Sequence, residues 1–354
     1  MTVAAVTPLA LSAFLLGVGF GFLAERTGFC TMGAVSDAVA FNDWRRARSW
    51  VLAVGVAALG TELLRLDGRV DLLQSIYLAP RLGWAGSLLG GSLMGFGMTL
   101  AGGCVSRNLV RLGGGDLRSL VVLVVLGVIA YMTVHGLTAL FRVALEGATD
   151  IRLDARGFNS QGLPEVSSAL LGLGSAPVRS LMIGLAGTAL IAICLMDADF
   201  RGSARHVVAG IGVGLAVVAG WWISAVVGYD ELEPTRPASL SFTAPVGNAI
   251  VYLMTFTGSR LDFGVAVVGG TVVGALISAL SGGGWRLLGF ADRADLTRNL
   301  IGAAMMGFGG VVALGCSIGQ GITGLSTLAL GSVLATAAIV AGAAAGVRFL
   351  ERAA

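Results

Sequence analysis

Lysine is missing from this 354-residue sequence, histidine occurs twice, and only 12% of the residues carry charge. All 23 basic residues are therefore arginine, and the formal net charge is +3. So small and scattered a charge offers no electrostatic footprint for a nucleic acid. The four cysteines, Cys30, Cys104, Cys194 and Cys316, form no C-x-x-C pair and have no histidine beside them. That argues against a structural metal site and against a disulfide framework. No basic leader precedes the first apolar run, 9–24, and no small-residue cleavage site follows it, so the run reads as a retained span and not as a signal peptide. Glycine triplets such as Gly17, Gly19 and Gly21 imitate a dinucleotide fingerprint without the strand and soluble context it requires, so no cofactor is implied.

What is present is apolar. Hydrophobic residues make up 56% of the chain, more surface than a water-soluble fold could hide, so the lipid bilayer must be the solvent for most of it. The expected fold is all-α and polytopic. Runs near the roughly 20 residues needed to cross the hydrocarbon fall at about 5–24, 47–64, 83–100, 117–140, 178–196, 206–227, 262–280, 298–314 and 327–348, nine in all. Four shorter pieces, at about 30–41, 104–112, 244–257 and 316–326, are too short to cross and are flanked by Gly, Pro, Asn or Ser. They read as re-entrant helices, tolerated only where protein or a polar cavity surrounds the exposed backbone.

Each half runs in the same order: span, short piece, span, span, short piece, span. Residues 1–146 are read as the first repeat, 147–204 as an outer loop and a joining span, and 205–354 as the second repeat. Because one extra span joins the halves, the second should be inverted relative to the first, as in carriers whose site lies at a repeat interface. Fourteen of the 23 arginines fall on the inner side if the N-terminus is outside and the C-terminus cytoplasmic, the orientation that the positive-inside rule favours.

The repeat also carries the chemistry. Met94-Gly95-Phe96-Gly97 leading to Gly103-Cys104 recurs 212 positions later as Met306-Gly307-Phe308-Gly309 leading to Gly315-Cys316. Asn108 and Gln320 fall at the same offset, so each copy places a side-chain amide four residues after its thiol. The glycines suit close helix crossing. No carboxylate is expected at mid-membrane, where proton-coupled carriers and cation channels place one. Starts of short helices present N–H groups, which suits an anion. A neutral thiol is a weak donor and a soft contact, able to hold a sulfur-bearing anion without trapping it. Cys30, Cys104 and Cys316 are the candidate substrate contacts, with Asn108 and Gln320 as amide donors and Arg107 as attraction at the pore mouth. The amides could equally satisfy broken helix backbone, and for Arg107 a lipid-headgroup contact is favoured over a pore role. Cys194, in the joining span, reads as a small core residue.

The segment Gly28-Phe29-Cys30-Thr31-Met32-Gly33-Ala34, with the two Gly-Phe-Gly stretches leading to Gly103-Cys104 and Gly315-Cys316, closely resembles the YeeE/YedE family of inner-membrane sulfur transporters, and the likeness spans the chain. The resemblance implies a bacterial inner-membrane carrier of thiosulfate whose three motif cysteines, here Cys30, Cys104 and Cys316, pass the ion by S–H hydrogen bonds. It also implies a small cytoplasmic TusA-like sulfur-carrier protein as partner, and a transporter, not an enzyme. The family includes proteins linked to selenium, so a selenium species stands as an alternative substrate. Two other readings stay open: a membrane sulfurtransferase that forms a cysteine persulfide, and a nonspecific anion channel.

Overall fold

The computed structural model describes residues 7–172, 174–229 and 236–353, and it is almost wholly helical. The first half comprises α1 (Pro8–Thr27), α2 (Thr31–Ala40), α3 (Arg45–Leu66), α4 (Trp84–Leu100), α5 (Val105–Gly113) and α6 (Leu117–His135). Connecting helices follow: α7 (Ala139–Thr149), α8 (Leu163–Leu171), α9 (Ser175–Met196) and α10 (Ala198–Arg201). The second half comprises α11 (Ala204–Trp222), α12 (Thr243–Met254), α13 (Phe263–Ser281), α14 (Arg293–Val312) and α15 (Leu330–Ala353). The only strands among the described residues, β1 (Arg81–Leu82) and β2 (Ile151–Arg152), pair antiparallel across two long loops.

Local chemistry sets the helix limits. Thr7 caps α1 by accepting the Ala10 N–H at 3.2 Å, Pro8 supplies a first residue that needs no N–H partner, and Gly28 ends the helix at φ 67°. Asp262 and Asp292 cap α13 and α14 in the same way, each accepting an N–H three residues on at 2.7 Å. Between them the capped spans bury small residues, which lets backbones approach.

Packing follows the correspondence between halves. The helix α1 lies along α13 as α11 lies along α3; α4 meets α15 as α14 meets α6; α12 meets α6 as α2 meets α15. The two counterparts α4 and α14 also meet each other, through glycines. A Cβ added at Gly97 would fall 2.7 Å from the Gly302 carbonyl oxygen, and one added at Gly90 would fall 2.6 Å from that of Gly309. These contacts exchange when each residue is replaced by the one 212 positions away, and their order along the chain makes α4 and α14 antiparallel, the relation that inverted halves require.

Two sequence expectations shift. Eight helical segments among the described residues, where nine spans were expected, are long and apolar enough to cross a membrane. The ninth expected span, α14, falls outside that count because its first two turns carry Arg293, Asp295 and Arg298; it still has 20 residues and runs antiparallel to α4. The second change concerns the cap of α12. The short piece expected from about 244 starts at Thr243 as α12, and the residue standing at its cap, as Cys30 stands at the cap of α2, is Phe242.

The short pieces form as breaks. The helices α2, α5 and α12 have 10, 9 and 12 residues. The fourth piece is not α-helical: 319–324 forms wide π-type turns followed by a 3-10 turn at 325–327.

Candidate functional site

Each cysteine of the repeated motifs stands at the start of one of these breaks, where the first N–H groups lack helical partners. The Cys30 sulfur accepts the Gly33 N–H at 3.4 Å, and the Cys316 sulfur accepts the Gly319 N–H at 3.3 Å. At Cys104 the bonded neighbour is the Ser106 hydroxyl at 3.3 Å. Two of the thiols therefore act as helix caps in the place a serine or aspartate would take. The turn before Cys104 needs left-handed backbone at Gly102 (φ 65°), and the second copy holds Leu314 in the same conformation (φ 60°), one that a branched side chain adopts only under constraint.

The fold brings the three thiols together. The Cys30 and Cys104 side chains face one another, and Cys316 lies within electrostatic reach of Cys104 while its sulfur meets the backbone of Phe242 at the head of α12. Cys104 and Cys316 are fully buried and Cys30 partly so. Four chain breaks, two from each half, thus converge on one interior locus.

Hydroxyls that sequence reasoning overlooked stand next in sequence to three of these break heads. Thr31, Ser317 and Thr243 directly follow Cys30, Cys316 and Phe242. Their oxygens are buried without a hydrogen-bond partner, and Ser317 sits beside the Cys104 thiol. A buried hydroxyl ordinarily finds a partner, because leaving one unmade costs about 1–3 kcal/mol. Three such groups stand at the heads of three breaks. The sequence carried a signal for two of them, a hydroxyl residue immediately after a motif cysteine.

The amides lie elsewhere. The Asn108 amide nitrogen donates to the carbonyls of Gly103 at 3.0 Å and Cys104 at 3.1 Å. Gln320 donates to Ala313 O at 2.6 Å and accepts from the Ser332 hydroxyl at 2.6 Å. Both therefore satisfy backbone opened by the breaks. Each also lines a cavity: Asn108 one of about 230 Å³, and Gln320 one of only about 10 Å³. Around the smaller one, Leu163 N–H bonds Leu328 O at 2.9 Å and Leu330 N–H bonds Gln161 O at 3.0 Å, so the loop before α8 is laid over the head of α15.

Arg107 extends from α5 to Glu25 at the end of α1, with an N–O distance of 3.4 Å, and lines neither cavity. Cys194 belongs to a separate cluster with Leu52 and Phe200, its thiol donating to Arg48 O at 3.3 Å.

Comparison with known proteins agrees with the sequence motifs. A family model described as sulphur transport matches residues 26–345. The chain is 27% identical to the thiosulfate transporter TsuA of Escherichia coli over 88% of its own length and 86% of that protein's. It is 26% identical to the thiosulfate transporter TsuA of Spirochaeta thermophila over 94% of itself and 96% of that protein. A shorter stretch, 30% of this chain and 25% of the relative, is 35% identical to the probable transporter YedE of Salmonella typhimurium.

Proposed function

This chain belongs to the sulphur-transport family, and from that membership we propose that it carries thiosulfate inward across the bacterial inner membrane, with Cys30, Cys104 and Cys316 as successive contacts. The substrate is proposed from the two thiosulfate transporters that match this chain over most of their length. One observation supports the mechanism: the three motif thiols come together at the heads of broken helices from both halves, with the unpartnered Ser317 hydroxyl beside Cys104. The thiols offer S–H donors to the terminal sulfur of the anion. The hydroxyls of Thr31, Ser317 and Thr243 offer harder donors to its oxygens, so the two ends of the ion are recognised by different chemistry. Each contact is weak alone, and transfer between neighbouring weak sites is what passage requires.

Asn108 and Gln320 act in this reading by holding the turns that carry Cys104 and Cys316. Arg107, paired with Glu25, adds positive charge beside the first break. The N-terminus is placed outside and the C-terminus in the cytoplasm, where a TusA-like sulfur carrier could collect the product.

The test is counterflow in proteoliposomes with labelled thiosulfate, challenged by unlabelled thiosulfate, sulfite, selenite and sulfate. Thiosulfate should compete best. Preference for selenite would move the protein to the selenium-linked branch, and equal competition by sulfate and chloride would make it a nonspecific channel. A sulfur adduct on Cys104 detected by mass spectrometry after turnover would favour the sulfurtransferase.

A further inference from the structure

The cavity floored by Asn108 holds a group of side chains that the thiol locus does not use. Arg111, Arg118 and Arg298 line it together with Ser119 and Asp295. Its volume of about 230 Å³ is several times the roughly 30 Å³ that one water occupies in the liquid, room for a small anion that keeps part of its hydration. The guanidiniums are held in place from behind. Arg111 pairs with Asp116 at 2.9 Å and also donates to Gly102 O at 3.1 Å; Arg118 pairs with Asp116 at 3.1 Å and lies 4.0 Å from Asp295; Arg298 pairs with Asp295 at 3.1 Å. Three guanidiniums against two carboxylates leave one positive charge, and fixed forks leave further N–H edges for planar or tetrahedral oxyanions.

The second observation is independent of charge. Ser119, in the first turn of α6, lines the cavity and is 1% exposed, and its buried hydroxyl has no hydrogen-bond partner. The same turn brings the N-terminus of a 19-residue helix to the wall, which favours a negative ligand. We propose that this cavity is a second anion site, a vestibule that holds a small divalent oxyanion by its oxygens through Arg111, Arg118, Arg298 and Ser119 on its way to or from the thiols. The inference rests on the transport reading for its purpose but not for its chemistry. Hard N–H and O–H donors recognise oxygen, so this site takes sulfate as readily as thiosulfate, whereas the thiols select the sulfur end.

That difference makes the site testable separately. The full chain, purified in detergent, is titrated calorimetrically at low ionic strength with sodium sulfate. Sulfate should bind the wild type and should bind the Cys104→Ala/Cys316→Ala double variant within twofold of the same affinity. Ser119→Ala and Arg298→Gln should each weaken it about tenfold, the loss expected for one charge-assisted hydrogen bond. Neither change threatens folding: the first is nearly isosteric, and the Arg298 side chain is 48% exposed. The proposal is overturned if wild type binds no sulfate, if both vestibule variants bind it normally, or if the cysteine variant loses it. Displacement of sulfate by soluble phosphatidylglycerol would make the cavity a lipid-headgroup site and would also overturn it. Failure of thiosulfate uptake in proteoliposomes, with sulfate binding intact, would sink the transport reading alone.

Discussion

Replacing Cys104 by alanine separates the role of a thiol in transport from its role in folding. The side chain is fully buried, faces Cys30, and bonds the Ser106 hydroxyl at 3.3 Å. Deleting one buried heavy atom costs about 1 kcal/mol in lost contact, and leaving Ser106 without this partner adds about 1 kcal/mol. A total near 2 kcal/mol is smaller than the roughly 5–15 kcal/mol that keeps a domain folded, so the variant should still insert and purify. Transport should suffer more than stability. Removing one donor from the path of a charged ion raises the barrier by about 1.5 kcal/mol or more, a rate loss of about tenfold or more. The assay is the initial rate of labelled thiosulfate uptake in proteoliposomes, normalised to protein incorporated. Cys104→Ser keeps a donor and the contact with Ser106 but hardens it, and should fall between wild type and alanine. Cys194→Ala is the control, because its thiol meets only Arg48 O in a separate cluster. A Cys104→Ala rate within twofold of wild type, or an equal loss in Cys194→Ala, would refute the relay.

Gly302→Ala should lower the melting temperature measured by fluorescence-detected gel filtration, since its Cβ would lie 2.6 Å from Gly97 O and overpacking costs about 1–3 kcal/mol; Gly19→Ala, with nothing within 4 Å, should not. In the loop between α2 and α3, hydrogen bonding to Arg45 holds the Asp43 carboxyl down at about 2, below the usual carboxylate value. Its folded-state value is depressed, so its contribution is present above pH about 4 and fades as pH falls toward 2. Asp43→Asn should therefore melt slightly below wild type at pH 7, with the gap closing at pH 2 to 3; a gap that widens on acidification would contradict this. Arg107→Gln should reduce thiosulfate uptake by less than tenfold and make it less sensitive to added salt, because the partly buried Arg107 and Glu25 pair is worth about 1 kcal/mol at most; uptake that is abolished would give Arg107 a direct role in holding the ion.

How much of this arrangement could be seen in the sequence depends on how local each interaction is. Glycine pairs repeated 212 positions apart announce close crossing, and Gly97 and Gly309 do meet the backbones of the partner helices α14 and α4. The thiols were visible for the same reason, since a motif copied with its cysteine needs no third dimension to be noticed. The span expected at 298–314 is the later part of α14, which begins at Arg293: Arg293, Asp295 and Arg298 sit inside the helix instead of before it, and periodicity does not say where a helix emerges into the interface. The amides show a subtler limit. A side-chain amide four residues after a broken turn reaches the carbonyl at its base, as Asn108 does to Cys104, so the spacing that suggested a ligand is also the spacing of a local backbone bond. The hydroxyls of Thr31, Ser317 and Thr243 present the reverse case. In an apolar helix such residues usually donate to the carbonyl one turn back, but these three stand at the first positions of their breaks, where no such helical carbonyl precedes them. An unsatisfied donor is a property of its surroundings, which is why these hydroxyls go unnoticed in a sequence that displays its thiols openly.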